Sequence, residues 1–256
     1  MTTSWAVVTG ASGGIGAAFA QQFAANGINV VLVARNRKQL NTVAQNLQEQ
    51  GVKTEIFVAD LSDPGQPQKL HQFVQSKKIT PLYLVNNAGF GDYGLLTKAD
   101  PQKLQNMLQL NVAALTSLAH YFGKEMQKRN NGYIVNVAST AAFFPGPYMA
   151  TYYASKSYVL SLSVALNEEL RSSGVSVTAL CPGPTESNFA VAAAAERTNI
   201  FAGKLPSSES VAAFGYRAML ARRPVAVHGW RNRLVTALAG LLPRPQAAKI
   251  VRRIQA

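Results

Sequence analysis

A single cysteine, Cys181, stands in the 256-residue chain, so no internal disulfide framework can hold it together. Its stability must come from a buried core, and a lone thiol fits a reducing, cytoplasmic compartment. Cys181 itself reads as a small buried residue rather than a nucleophile. Acidic residues are also scarce, 12 against 25 lysines and arginines, which leaves a formal net charge of +13. The three histidines, His71, His120 and His228, lack metal-ligand spacing with one another or with the cysteine. No metal site is expected. No apolar run approaches the roughly 20 residues that a bilayer-spanning helix requires. The N-terminal stretch lacks the basic region, apolar segment and cleavage site of a secretory signal, so none is expected. Internal repeats, low-complexity segments and linkers are missing as well, and residues 1–256 read as one domain.

What is present is a regular alternation of apolar strands and amphipathic helices. The first strand, Trp5–Val8, runs into Thr9-Gly10-Ala11-Ser12-Gly13-Gly14-Ile15-Gly16 and then an alanine-rich helix to about Asn26. Glycines let that loop turn tightly and approach a pyrophosphate, while the helix N-terminus supplies N–H groups and positive potential. Gly10, Ser12, Gly13, Gly14, Ile15 and Gly16 are therefore candidate cofactor contacts. A second strand, Ile28–Ala34, ends at Arg35-Asn36-Arg37, where a dinucleotide site normally reads the adenosine ribose. No acid stands there to repel a 2′-phosphate, and Arg35 offers charge-assisted bonds to one. That favours NADP over NAD, the alternative being arginines that only solvate a loop.

Helix-forming sequence from Lys38 to Gln50 leads to a third strand, Lys53–Ala59, and then Asp60-Leu61. Asp60 either reaches the adenine edge or caps the next turn. A helix over about Gln66–Ser76 precedes strand Leu82–Val85, whose end carries Asn86-Asn87-Ala88-Gly89. In open parallel sheets ligands sit at that carboxyl edge, which makes Asn87, Ala88 and Gly89 candidates too. Lys103–Arg129 reads as one long helix or two abutting ones. Asn111 lies within its apolar stretch, where an asparagine competes with the backbone for hydrogen bonds.

The most informative stretch follows the strand Tyr133–Ala138. Ser139 stands at its end, and Tyr152 and Lys156 lie four residues apart on the next helix, which runs to about Ser173. That spacing puts the phenol and the ammonium on one helical face. A phenol has a pKa of about 10, and a fixed cation nearby is expected to bring it closer to working pH. A sixth strand, Val175–Leu180, then leads into Cys181-Pro182-Gly183-Pro184-Thr185-Glu186-Ser187. Such strand–helix alternation implies right-handed crossovers and a parallel, doubly wound sheet.

Taken in order, these motifs resemble the short-chain dehydrogenase/reductase family over residues 5 to 190. They comprise Thr-Gly-x-x-x-Gly-x-Gly at Thr9–Gly16, Asn86-Asn87-Ala88-Gly89, Asn111, Ser139, Tyr152-x-x-x-Lys156 and Pro182-Gly183. The resemblance implies a single Rossmann-like doubly wound α/β domain with a mostly parallel seven-stranded sheet and a helical C-terminal extension. It also implies a catalytic tetrad of Asn111, Ser139, Tyr152 and Lys156 and a nicotinamide cofactor, here NADP(H). Tyr152 would protonate a carbonyl oxygen while the carbon receives hydride, and tyrosinate would be the base in reverse. Ser139 would bond the same oxygen, Lys156 would also grip the nicotinamide ribose, and Asn111 would hold a water linking Lys156 to solvent. Pro182, Gly183 and either Thr185 or Ser187 would meet the nicotinamide. The four-residue spacing selects Tyr152 over Tyr153. One departure is Gly13, which occupies a place where NADP-using members often carry a basic residue. A homodimer or homotetramer is implied as well.

Beyond residue 190 the resemblance is thin. Phe189–Ala195 is apolar, and the family places a mobile lid over the substrate there, within about 187–210. With Phe90, Phe143, Phe144 and Met149 it predicts a pocket for a hydrophobic ketone or aldehyde. Val225–Val227 reads as a seventh strand. The segment 230–256 reads as a basic helical appendage, with Leu234, Leu238, Leu241, Ile250, Val251 and Ile254 at helical spacing among arginines. After Glu209 there is no acidic residue at all. The first expectation for this segment is a helical cover over the domain or a subunit contact. An anionic membrane surface or an acidic partner such as an acyl carrier is the alternative. Nucleic acid is not expected, since no recognition motif accompanies the charge. The rival to an enzyme is a catalytically silent NADP-binding regulator or scaffold.

Overall fold

The computed structural model describes residues 4–187, 189–195, 198, 203–239 and 242–255. Its central strands are apolar on both faces, and that composition fixes the architecture. Along β1 (Trp5–Thr9), Ala6 and Val8 point into one core while Val7 points into the other. In β2 (Asn29–Ala34), Val30 and Leu32 alternate with Val31 and Val33 in the same way. A strand with two apolar faces is stable only if both are covered, which calls for helices above and below.

Five further strands complete the sheet: β3 (Thr54–Val58), β4 (Pro81–Asn86), β5 (Gly132–Val137), β6 (Val175–Cys181) and β7 (Val225–Val227). Their spatial order is β3-β2-β1-β4-β5-β6-β7, and every neighbouring pair is parallel. The expected mostly parallel sheet is thus wholly parallel among the described residues. One face is covered by α1 (Gly14–Ala24), α2 (Arg37–Gln48) and α8 (Ser208–Leu220), which bury Phe19, Phe23, Leu40, Leu47 and Met219. The other carries α3 (Gln66–Ser76), α5 (Leu115–Lys128) and α6 (Ala150–Leu170), which bury Leu70, Leu118, Phe122 and Leu170. Each such large side chain contributes about 1.5–3 kcal/mol by leaving water. Together they form a single Rossmann-like α/β domain.

The helical stretch expected over Lys103–Arg129, as one long helix or two abutting ones, is in two parts. These are α4 (Pro101–Leu108) and α5, joined by a π-helical segment (Gln109–Ala114). Asn111 sits within the π segment, which explains its presence in an apolar stretch. π-Bulges of this kind recur at functional sites. Helix α8 had no counterpart in the sequence reading. The C-terminal part forms a one-turn α7 (Phe189–Ala192) before α8, and α9 (Trp230–Ala239) and α10 (Arg244–Gln255) after β7.

The two terminal helices lie on the domain but turn most of their apolar stripe away from it. They meet the domain through Asn232, Thr236, Ala247, Val251 and Gln255, whereas Leu234, Leu238, Ile250 and Ile254 face outward. Of the expected apolar stripe, only Val251 among the described residues therefore helps to cover the domain. Leu241 lies outside the described residues.

Candidate active site and cofactor cleft

Strand order reverses between β1 and β4, so crossovers leave these two neighbours in opposite directions and a crevice opens at their carboxyl ends. It is a cleft of about 520 Å³ that runs from Arg35, Asn36 and Gln39 past the glycine loop to Ser139, Tyr152, Lys156 and Thr185. The loop is shaped by contacts that leave no room for side chains. Gly10 has φ +66°, and a Cβ there would lie 2.6 Å from the Asn87 amide nitrogen. A Cβ on Gly16 would stand 2.2 Å from the Gly10 carbonyl oxygen. Gly16 therefore packs α1 against the loop and does not line the cleft, unlike Gly10, Ser12, Gly13, Gly14 and Ile15. At Gly13 an added Cβ would meet nothing within 4 Å, so the loop borders open space there.

Thr9, which sequence reasoning passed over as a site residue, fastens this loop to β4. Its hydroxyl accepts from the backbone N–H groups of Asn87 (2.9 Å) and Ala88 (3.0 Å) and donates to the Val85 carbonyl (3.3 Å). Asn87 in turn donates its amide to the carbonyls of Thr9 and Gly10. Asn87, Ala88 and Gly89 all line the cleft, but the Asn87 side chain is spent on bracing.

At the far end Arg35 is exposed and lies 3.5 Å from Asp60. Arg37 begins α2 and does not line the cleft. The Asp60 carboxylate accepts from both the amide and the hydroxyl of Ser62, so it caps the turn after β3, the second of its two expected roles. Burial pushes its carboxyl up, but the two Ser62 bonds and the Arg35 charge outweigh this and hold it below the ordinary range. Leu61 beside it lines the same wall.

The other end is built by β5 and α6. Ser139 follows β5 and caps a short 3₁₀ turn (Thr140–Phe143), its hydroxyl accepting from the Ala141 amide. Tyr152 and Lys156 lie one turn apart in the first half of α6, both buried and both lining the cleft. The Lys156 ammonium donates to the Val137 carbonyl at 2.7 Å and sits 5.7 Å from the centre of the Tyr152 ring. Burial pulls the Lys156 pKa down to about 8, opposed by the nearby Cys181 thiol. Burial pushes Tyr152 well above the ordinary phenol, the Ser139 hydroxyl opposing and Tyr153 adding to the rise. Tyr152 is thus not lowered in the protein alone, contrary to expectation, because desolvation dominates. A phenol so held keeps its proton at neutral pH. Cys181 lies buried beside this pair, its thiol pushed up to about 12 by burial, against the Ser139 backbone and the Lys156 charge.

Asn111 does not line the cleft but stands directly behind it. Its carbonyl oxygen accepts from the Phe90 amide (3.1 Å), and its nitrogen donates to the Phe90 carbonyl and to the Ser155 hydroxyl. Ser155 donates to the Tyr152 carbonyl, so this asparagine braces α6 beneath the tyrosine. A Cβ on Gly89 would lie 2.9 Å from the Asn111 carbonyl oxygen and 3.5 Å from the Lys156 ammonium. Glycine there lets both groups approach the cleft.

Pro182, Gly183, Thr185 and Ser187 form the opposite rim. Thr185 is buried and donates to the Gly183 carbonyl, while Ser187 is exposed and accepts from the Phe189 amide. Phe90, Met149 and Phe189 line the adjoining apolar part, with the Phe189 ring 5.2 Å from that of Tyr152. Phe143 and Phe144 depart from expectation. Phe143 packs instead with Leu115, Ala138 and Val159, because the 3₁₀ turn swings it behind the site, and Phe144 is not in the lining. Tyr93 and Tyr153 join the apolar wall in their place. Of the expected lid over 187–210, residues 188, 196, 197 and 199–202 lie outside the described residues.

The cleft thus joins a glycine loop at one part to a serine–tyrosine–lysine corner at another. The family model described as "short chain dehydrogenase" matches residues 4–198, and the chain belongs to the short-chain dehydrogenase/reductase family. It is 35% identical over 182 residues to the human protein named inactive hydroxysteroid dehydrogenase-like protein 1, covering 70% of this chain and 54% of that one. The chain thus spans about half the length of the curated relatives it matches. A short-chain dehydrogenase from Sphingobium yanoikuyae in complex with NADPH superposes with a TM-score of 0.82 at 30% identity, covering 96% of this chain and 98% of the other. The bulky-bulky ketone specific alcohol dehydrogenase from Comamonas testosteroni superposes with a TM-score of 0.80 at 29% identity, covering 94% of each chain.

Proposed function

We propose that the protein is an NADP(H)-dependent oxidoreductase that reduces a hydrophobic ketone or aldehyde to the alcohol, or runs the reverse reaction. The observation that carries this reading is the convergence of Ser139, Tyr152 and Lys156 at one end of a cleft whose other end holds an exposed arginine. Arg35 would pair with a 2′-phosphate, Gly10 to Ile15 would border the pyrophosphate, and Pro182, Gly183 and Thr185 or Ser187 would flank the nicotinamide. When bound, the nicotinamide supplies a hydride to the carbonyl carbon. Tyr152 gives its proton to the carbonyl oxygen, and Ser139 donates a hydrogen bond to the same oxygen as negative charge builds there. Lys156 resupplies the proton, with Asn111 holding a water on its solvent side. Burial keeps the phenol protonated in the protein alone, the state from which the reductive direction starts. The apolar wall of Phe90, Met149, Phe189 and Tyr153 fits a bulky carbonyl substrate, with residues 187–210 as its cover. A homodimer or homotetramer belongs to the same reading.

A silent NADP-binding scaffold is the second reading, favoured by the relative named inactive. A pure binder has no need of Ser139 and Tyr152 together, which weighs against it. The deciding experiment is nicotinamide fluorescence with NADPH and NADH on wild type and Arg35→Ala, followed by a screen of bulky ketones. Loss of one charge-assisted pair should weaken NADPH about 10- to 100-fold and leave NADH unchanged. Equal binding of both cofactors by the wild type would overturn the role given to Arg35.

A further inference from the structure

Helices α9 and α10 wear most of their large apolar residues on the outside. A helix that docks on its own domain turns its apolar face inward and its polar face to water. In α9 the inward positions are Asn232 and Thr236, which bond the His228 carbonyl and the Asn232 carbonyl. Trp230 is 71% exposed, Leu234 55% and Val235 54%, with Leu238 beside them. In α10 the inward positions are Ala247, Val251 and Gln255, while Ile250 and Ile254 face out, the latter 52% exposed. A contiguous run of such residues marks an interaction surface.

The charge around this surface has one sign. Arg231, Arg233, Arg244, Lys249, Arg252 and Arg253 lie on the two helices with no acidic residue among them. Among the described residues none of these six makes an ion pair. Arg231 stacks on Trp230, Arg233 on Phe214, and Arg252 donates to the Tyr148 hydroxyl. Outward aromatic and aliphatic side chains flanked by long cationic ones suit a lipid interface, where the chains enter the acyl boundary and the cations meet phosphates. A second copy of this chain fits less well, because a symmetric contact would set six cations against six.

We propose that α9 and α10 dock the protein on the surface of an anionic membrane. Helix α10 is fixed beside the cleft, since Gln255 bonds the cleft-lining Tyr153 and also Tyr93, and Arg252 bonds Tyr148. Docking therefore sets the apolar end of the cleft beside the bilayer, so that a hydrophobic carbonyl compound enters from the lipid. That last step rests on the reductase reading given above. The docking itself does not, and it is measured without cofactor or substrate.

The test is co-sedimentation of the full chain with phosphatidylcholine vesicles, pure or carrying about 30 mol% phosphatidylserine. Wild type should bind the anionic vesicles at least about tenfold more tightly than the neutral ones. Leu234→Ser/Leu238→Ser/Ile254→Ser and Arg231→Glu/Arg253→Glu should each lose about tenfold or more. Both alter exposed positions, and circular dichroism with thermal melting checks that they fold. Wild type that stays in solution, or that binds neutral vesicles equally well, overturns the proposal. So does a wild-type dimer that the serine variant splits into monomers without any vesicle binding, which would give the surface to a second copy.

Discussion

Gln255 donates a 2.6 Å hydrogen bond to the Tyr153 hydroxyl, tying α10 to the residue next to Tyr152. The Gln255 carbonyl also accepts from the Tyr93 hydroxyl at 2.9 Å, so one buried residue pins two tyrosines of the apolar wall. Neither tyrosine is proposed to touch the reacting atoms. Gln255→Ala should therefore loosen the substrate wall and spare the chemistry. Losing one buried hydrogen bond costs about 1–2 kcal/mol, so the KM for a bulky ketone should rise roughly 5- to 30-fold. The expected kcat changes less than about twofold, because Tyr152 keeps its Ser139 partner. Steady-state kinetics with a ketone from the screen, beside NADPH titration, reads both. A fall in kcat with KM unchanged would place Gln255 in the chemistry instead.

Tyr152→Phe removes the proton donor and little else. The ring keeps its contact with Phe189 and its place in the apolar cluster. General acid catalysis is worth about 10²- to 10⁴-fold, and turnover should fall by that factor. NADPH affinity should stay nearly unchanged by fluorescence titration. Undiminished turnover would sink the role given to Tyr152.

Lys156 sets a pH signature that does not depend on activity. Its pKa is lowered from 10.5 to about 8, so the folded state sheds the proton before the unfolded chain does. Below pH 8 both states hold it, and burying the ammonium costs the fold about 3 kcal/mol. Above pH 8 and up to the unfolded value, the unfolded chain binds more protons and this penalty is relieved. Tyr152 and Cys181 are shifted upward and act with the opposite sign, but at higher pH and in both proteins under comparison. Lys156→Met should therefore melt above wild type at pH 7, with the gap narrowing toward pH 9.5. A gap that stays constant with pH would show that Lys156 is not buried as a cation.

Much of this site was readable in the residues because its motifs are local. The glycine loop, the Tyr152–Lys156 spacing and the strand ends each occupy a few consecutive positions, and strict strand–helix alternation fixed their order. The π segment at Asn111 was not legible, since nothing in Gln109–Ala114 separates it from an ordinary apolar helix. Phe143 and Phe144 went wrong because a 3₁₀ turn decides which way a side chain points, and two adjacent aromatics do not declare it. The inward faces of α9 and α10 defeated periodicity for a related reason. The apolar stripe was seen, but a stripe shows only that a helix is amphipathic, not which side meets the domain. Tertiary hydrogen bonds such as Gln255 to Tyr153 join residues 102 positions apart, and no local pattern announces them.

The pair Asn86 and Asn136 extends this point and can be tested by stability alone. They stand opposite each other in β4 and β5, at the last paired position below the cleft, and both are buried. Asn86 donates to the Asn136 carbonyl oxygen at 2.9 Å, and Asn136 donates to the Ser163 hydroxyl at 3.0 Å. Ser163 in turn donates a hydrogen bond to the Val159 carbonyl, which ends the chain on α6. Asparagines in central strands are costly unless bonded, so this relay must repay their desolvation by locking β4, β5 and α6 in register. Asn136→Ala leaves the Asn86 amide with only the Leu115 carbonyl at 3.4 Å and opens a small void. The expected loss is about 2–4 kcal/mol, read as a fall of several degrees in Tm. Ser163→Ala should cost less, because it strips one acceptor and leaves the two asparagines bonded to each other. Equal losses for both variants would mean that the serine, not the asparagine pair, holds the strands to the helix.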